Sequence, residues 1–322
     1  MSKPILGIDV GKYELAVVLL KNGKFIDKVV ENNSKGFKQI LKFSKETASK
    51  VEVYLEATGR YGEAVTEFLS SRGFDVKVIN PTQIIDFARV KLTRHKTDKV
   101  DARIIAEYGS IFGGRTYTKI KENVKELKDL YRASLSLKDE LVSTKNHLEN
   151  KELLPKSVSD LWKKRAEDLE KDLQLVEKKM KGIIFASPDL KLKFELLIKV
   201  PGIGEGTATA VLAEVTRLEN FKTARELAAF IGLTPRHRTS GSSVRGKPRI
   251  SKMGLKILRK ALYLPALTAM RFNPTLKKFA EKLKEKGKKF KQIICAIMRK
   301  LVHIIFGVLK YDVPKFKLPL DF

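Results

Sequence analysis

The period of the hydrophobic positions changes along the chain, and each change predicts a different architecture. ILGIDVG (residues 5–11) is a short apolar run closed by Asp and Gly, and predicts a strand. ELAVVLLKNGKFIDKVVEN (14–32) sets an Asn-Gly turn between two β-rich segments and predicts a hairpin. SKGFKQILKFSKE has helical spacing, VEVYLEA reads as a strand, GEAVTEFLSSRG as a helix and FDVKVIN as a strand. PTQIIDFARV then opens a helical region. Strand, hairpin, helix, strand, helix, strand is a mixed α/β pattern, placed here as one domain over residues 1–118. Carboxylates at its strand ends stand where α/β folds place their sites.

From about Lys121 the period becomes helical. Val124, Leu127, Leu130, Tyr131, Leu135, Leu137 and Leu141 recur at three-and-four spacing, and the pattern resumes after Pro155. No glycine occurs from Glu122 to Lys181. The expectation for residues 119–186 is a long helical hairpin or coiled coil, with intrachain pairing and dimerisation both open. The third region, 187–322, reads as helix, PGIG turn, helix, then RELAAFIGL as a helix. TPRHRTSGSSVRGKPRISKMG is read as a basic loop, and the segments to Tyr311 are again helical.

Charge changes the picture more than composition does. A hydrophobic fraction of 43% is ordinary for a globular protein, but 65 Lys and Arg stand against 37 acidic residues, a net charge of +28. An excess of this size points to a polyanionic partner, nucleic acid first, against the plainer alternative of a basic protein with no such partner. From Arg245 to Lys300 there are 18 Lys and Arg against 2 Glu, so the strongest positive field is expected at the C-terminal end. The single cysteine, Cys295, excludes a disulfide framework and a cysteine zinc site. Asp9, Lys12 and Glu14 break any signal-peptide core, and LVHIIFGVL is too short to cross a bilayer. The expectation is a cytoplasmic protein working on nucleic acid, with no membrane.

Against that basic background one acidic set stands out: Asp9, Glu56, Asp98 and Asp101. Asp9 ends the first strand, Glu56 the fourth, and Asp98 and Asp101 share a helical face at i and i+3. Carboxylates brought together repel, and divalent cations relieve the repulsion. Hard oxygen ligands suit Mg²⁺ or Mn²⁺, which can activate a nucleophile and stabilise a leaving oxygen in phosphoryl transfer. Each acid also has a plainer reading: a turn at Asp9, a solvated strand end at Glu56, and a helix cap at Thr97–Asp98 with Asp101 favoured by the dipole.

Two further segments suit phosphate. VPGIGEGTATAVL (200–212) has the pattern of a helix-hairpin-helix element, in which Gly202 and Gly204 allow close backbone approach; an ordinary helix connection is the alternative. TSGSSVRGKPR (239–249) holds Ser240, Ser242 and Ser243 among cations. Arg236, Arg238, Arg245, Lys247, Arg249 and Lys252 are candidate phosphate contacts, and His95 and His237 candidate bases or phosphate contacts. On these residues alone, a loop that grips phosphate without chemistry is favoured over a nucleophilic one.

GIDVGKYELAV, YLEATGRYGEAV and KTDKVDARIIAEY resemble the three acidic blocks of the DEDD transposases of the insertion-sequence one-ten family, which includes the Piv/MooV DNA invertases. KVPGIGEGTATAVLAEV and FIGLTPRHRTSGSSVRGKPRISKMGLKILRKAL resemble that family's C-terminal transposase block, so the likeness covers nearly the whole chain. The resemblance implies an N-terminal RuvC-type domain of ribonuclease H-like fold and a mainly α C-terminal transposase domain. It implies that Asp9, Glu56, Asp98 and Asp101 form the DEDD metal site and that Ser240, before the Gly of the SG pair, is the nucleophile that forms a phosphoserine ester with DNA. It also implies double-stranded donor and target DNA, a structured bridge RNA as guide, and a homodimer or homotetramer with a composite site.

Other readings use the same residues. A junction-resolving nuclease would use the four acids, two metals and water, with no covalent intermediate. A non-catalytic nucleic-acid scaffold would use the acids as caps and turns. GIDVG also suits an actin-like ATPase, but the N-terminal region has no second Gly-rich phosphate loop.

Overall fold

A computed structural model describes residues 3–44, 50–57, 59–92, 97–149, 151–240 and 244–311, with residues 60, 151 and 237–249 described at most by their backbone. The chain divides into two compact units, Met1–Lys119 and Ile120–Phe322.

The first unit is a mixed sheet with helices on both faces. Its strands are β1 (Ile5–Val10), β2 (Glu14–Lys21), β3 (Lys24–Glu31), β4 (Glu52–Glu56), β5 (Asp75–Ile79) and the two-residue β6 (Arg115–Thr116), in the order β3-β2-β1-β4-β5-β6. β1, β2 and β3 pair antiparallel, and β1, β4 and β5 pair parallel. This order, with the helices below, is the ribonuclease H-like arrangement that the resemblance implies. Asn22 and Gly23 both take left-handed backbone at the hairpin turn, as the Asn-Gly pair predicts.

The pleat sorts the strand residues onto two cores. Leu6, Ile8, Leu15, Val17, Val53 and Leu55 face α1 (Ser34–Ser44) and α2 (Arg60–Ser70), where Phe37, Ile40, Val65 and Leu69 meet them. Ile5, Tyr54 and Ile79 face α3 (Pro81–Val90) and α4 (Asp98–Phe112) through Ile84, Ile104 and Ile105. Ala16 and Val18 of β2 close on Ala102 of α4. These strands read as continuous apolar runs because both faces are covered.

The second unit is mainly helical. α5 (Glu122–Asn146) and α6 (Lys156–Ala186) form the hairpin, followed by α7 (Pro188–Ile198), α8 (Glu205–Glu214), α9 (Ala224–Ile231), α10 (Lys256–Ala261), α11 (Tyr263–Phe272), α12 (Pro274–Glu285) and α13 (Phe290–Tyr311). Leu127, Tyr131, Met180 and Ile184 at the foot of the hairpin share one core with these helices. Glu214 of α8 is buried and accepts two bonds from Arg132 of α5, at 2.8 and 3.0 Å. Burial and the Glu214 charge push the neighbouring Tyr131 hydroxyl up to about 12. α13 is long and apolar enough to cross a membrane by length and composition alone, but its most apolar stretch is 67% buried against the other helices, which marks a core helix.

One expectation is corrected. The segment read as a basic loop contains a two-stranded antiparallel ribbon, β7 (Pro235–Ser240) and β8 (Val244–Ile250). Its residues carry no apolar alternation, and the two strands are joined by backbone pairing. The register slips between Arg236 and Arg238, so that Lys247 and Pro248 together oppose His237. Proline lacks the N–H that a continuous ladder needs there.

Candidate active site

The acidic site is built from a close approach of helix and sheet. Gly7 sits on the face of β1 that α4 covers. A Cβ at this position would lie 2.3 Å from the Ala102 carbonyl oxygen and 2.7 Å from the Ala106 nitrogen. Only glycine permits that contact, and it fixes α4 against the strand. The alternation that turns Ile5 and Gly7 toward α4 turns Asp9 the same way, at the strand's C-terminal end. In the parallel pair β1–β4, Gly7 lies beside Tyr54 and Ile8 beside Leu55. Glu56, two residues after Tyr54, therefore shares the Asp9 face.

The first turn of α4 supplies the other two acids. Thr97 caps the helix by accepting a bond from the Val100 N–H at 3.3 Å, and Asp98 and Asp101 occupy the first turn. The cap reading of this segment is therefore correct, and it is compatible with the metal reading: the cap starts the helix where its acids approach Asp9. Ion pairs from Arg103 to Asp27 and from Lys91 to Glu107 tether α4 to β3 and to the end of α3.

The electrostatics of Asp9 register the convergence. Its carboxyl is pushed up to about 6 by burial first, then by the charges of Asp101, Asp98 and Glu56. At the other end of β4 the opposite holds. Glu52 is held below the usual carboxylate range by hydrogen bonds from Lys77 (2.7 Å) and Tyr54 (2.6 Å). One end of the strand pair thus holds an ion pair, and at the other the charges of Asp101, Asp98 and Glu56 act on Asp9. A divalent cation fits the second set by chemistry, since four carboxylates are hard oxygen donors. Among the described residues no three His, Cys, Asp or Glu side chains form a ligand cage.

In the second unit, Gly202 takes φ +101 and packs on α11, where a Cβ would lie 2.7 Å from that of Ala269. Its close approach is thus to Ala269, both its Cβ and its backbone. Gly204 is the exposed N-cap of α8, with open space beside it. Ser240 closes β7 with its backbone in register with Val244. Register also sets Arg236 opposite Arg249 and Thr239 opposite Arg245. Arg236 and Lys252 are exposed. The side chains of His237, Arg238, Ser240, Arg245, Lys247 and Arg249 lie outside the described residues, as do Ser242, Ser243 and His95 entirely.

Sequence reasoning missed the ribbon and the residues at its root, notably Arg259, which donates to the Ile231 carbonyl at 2.7 Å. The Ser-Gly pair with Pro248 on the returning strand was the available signal for a hairpin with an irregularity.

The sequence is similar to known transposases and to a gene-inverting protein. A DEDD transposase model of the IS110 type matches residues 6–154, and a model of the transposase IS116/IS110/IS902 family matches residues 194–281. The pilin gene-inverting protein of Moraxella bovis is 30% identical over 318 residues, covering 98% of each chain. The transposase for insertion sequence element IS1111A of Coxiella burnetii is 35% identical over 97 residues, 30% of this chain and 25% of that one. A T. thermophilus RuvC solved with a Holliday junction substrate matches with a TM-score of 0.27 and 13% identity, over 36% of this chain and 99% of its own.

Proposed function

The chain belongs to the IS110 family of transposases and is a DNA recombination enzyme; from that premise we propose that it cuts and rejoins DNA through a phosphoserine intermediate at a magnesium-dependent DEDD site, guided by a bridge RNA. Asp9, Glu56, Asp98 and Asp101 would hold the metal. When bound, a divalent ion supplies charge stabilisation at the phosphate and at the oxygens entering and leaving it. The observation that supports the reading is the Asp9 carboxyl, pushed up to about 6 by burial and by the charges of Asp101, Asp98 and Glu56.

Ser240 is the assigned nucleophile. Its Oγ forms a bond to phosphorus as its proton passes to a base. The P–O bond to one deoxyribose breaks, and the departing oxygen takes up a proton. Rejoining is the same exchange with a new sugar hydroxyl attacking the phosphoserine ester. The arginines of the ribbon, Arg236, Arg238, Arg245 and Arg249, stabilise the phosphate charge as it develops, and Lys247 and Lys252 hold neighbouring phosphates. Base pairing between a structured RNA and DNA would carry sequence choice, leaving a strongly basic protein to hold backbones.

The test is the full chain with labelled element-end DNA, its flanking structured RNA and Mg²⁺, resolved on denaturing gels. The expected result is a protein–DNA adduct that Ser240→Ala abolishes while gel-shift affinity is retained. An adduct at normal yield in Ser240→Ala overturns the nucleophile. Strand cleavage by the wild type with no adduct replaces this reading with metal-activated hydrolysis.

A further inference from the structure

The ribbon's root is interlocked and strained, and the chemistry above uses only the Lys252 ammonium there, not its backbone. β7 leaves α9 through Gly232, which caps that helix with left-handed backbone, φ 81. β8 returns to α10 through residues 251–255. In that short link Lys252 holds φ +55 and Gly254 φ +125. A lysine enters left-handed backbone uphill and stays there only when its surroundings over-determine it.

Those surroundings are specific. The N–H groups of Ser251, Lys252 and Leu255 donate to the carbonyls of Thr234, Gly232 and Phe230 at 2.9, 3.3 and 2.9 Å. Arg259 of α10 donates Nη1 to the Ile231 carbonyl at 2.7 Å, satisfying a C-terminal carbonyl of α9. The two glycines pack into the same knot. A Cβ on Gly254 would lie 2.2 Å from the Phe230 oxygen, and one on Gly232 would lie 2.7 Å from the Met253 oxygen. The end of α9, the link and the first turn of α10 thus interlock.

A two-stranded ribbon alone is marginal in water, so any fixed direction has to come from where it is rooted. We infer that the interlocked residues Gly232, Lys252, Gly254 and Arg259 form a rigid elbow that positions the ribbon, so that Lys252 through its backbone and Arg259 through the α9 carbonyl act on strand cleavage as positioning residues. The inference rests on the reading of Ser240 as nucleophile.

The test pairs substitutions that lose the same charge but differ in backbone preference. Lys252→Asn and Lys252→Val both delete the ammonium, and only asparagine tolerates left-handed backbone well. Arg259→Lys and Arg259→Met form the second pair. Amide hydrogen exchange across residues 235–250 of the full-length protein reads the elbow without any chemistry, and exchange in α13 controls for folding. Exchange in the ribbon should rise about tenfold in Lys252→Val and Arg259→Met, with Lys252→Asn near wild type, Arg259→Lys between and α13 unchanged. With saturating DNA, adduct formation should be about tenfold to a hundredfold slower in Lys252→Val than in Lys252→Asn, at equal DNA affinity. Equal ribbon exchange in the Asn and Val variants overturns the elbow, and so does faster exchange with an unchanged adduct rate. If the wild type forms no adduct, the Ser240 reading fails, while the exchange arm still decides whether the elbow holds the ribbon.

Discussion

The acidic face of the first unit and the basic ribbon of the second are positioned by opposite means. Asp9 and Glu56 lie at the ends of strands whose apolar residues are buried on both sides, and α4 is pressed onto β1 until only a glycine fits. Packing of the elements that carry them sets where the acids stand. The ribbon has polar strands, a proline-bearing slip in register and a root held by backbone hydrogen bonds. The difference teaches where each part is vulnerable. Acidic charge is seated against a packed core, whereas basic charge is carried on a ribbon held at its root by backbone hydrogen bonds.

Substitutions separate the two kinds of positioning. The largest effect is expected from Gly7→Val, which drives a side chain into the α4 backbone. It should destabilise the first unit by about 3 kcal/mol or more and abolish recombination, measured by denaturant unfolding and adduct yield, with the helical unit's own transition unmoved. Loss of both transitions together would show that the two regions are not independent. Asp9→Asn is expected to lower Mg²⁺-dependent activity by about 10³-fold or more. It should at the same time stabilise the metal-free protein. A carboxyl raised to about 6 contributes stability below its unfolded value of 3.8 and loses it as pH rises through 6. Melting in EDTA at pH 7.5 should therefore favour Asp9→Asn, by about 1 kcal/mol once solvent screening is allowed for, and the gain should vanish near pH 4. A metal-free melting temperature below wild type at pH 7.5 would remove the claim of acid repulsion. The smallest effect belongs to the arm: Arg236→Ala should weaken DNA binding about equally for all sequences and reduce the slope of log K against log salt by about 1. A sequence-selective loss would mean that Arg236 reads bases.

What the sequence discloses follows the same division. The strands ILGIDV and EVYLE and the capped start of α4 are readable because hydrophobic burial writes a period into the residues that obey it. From that period, the approach of Asp9 to Glu56 can be foreseen. The contact at Gly7 cannot, since a glycine within an apolar run has no sign of the alanines it will meet 95 and 99 positions later. Gly202 is similar: PGIG suggests a turn, but its neighbour Ala269 is remote in sequence. β6 is two residues long and carries no pattern. The ribbon is hidden for a different reason, because backbone pairing between polar strands leaves nothing periodic to detect, and the left-handed lysine at its root looks like any other lysine.

The seat of α4 on Gly7 also sets a phase. Each residue of an α-helix advances about 100° around the axis, and Ala102 and Ala106 can meet Gly7 in only one rotation. Asp98 and Asp101 keep their bearing on Asp9 only while their count from Ala102 is unchanged. Adding or removing one residue between Asp101 and Ala102 would leave the seat intact and swing both acids about a quarter-turn aside, so chains descended from this one can vary in what α4 is made of far more freely than in how many residues its opening turn contains.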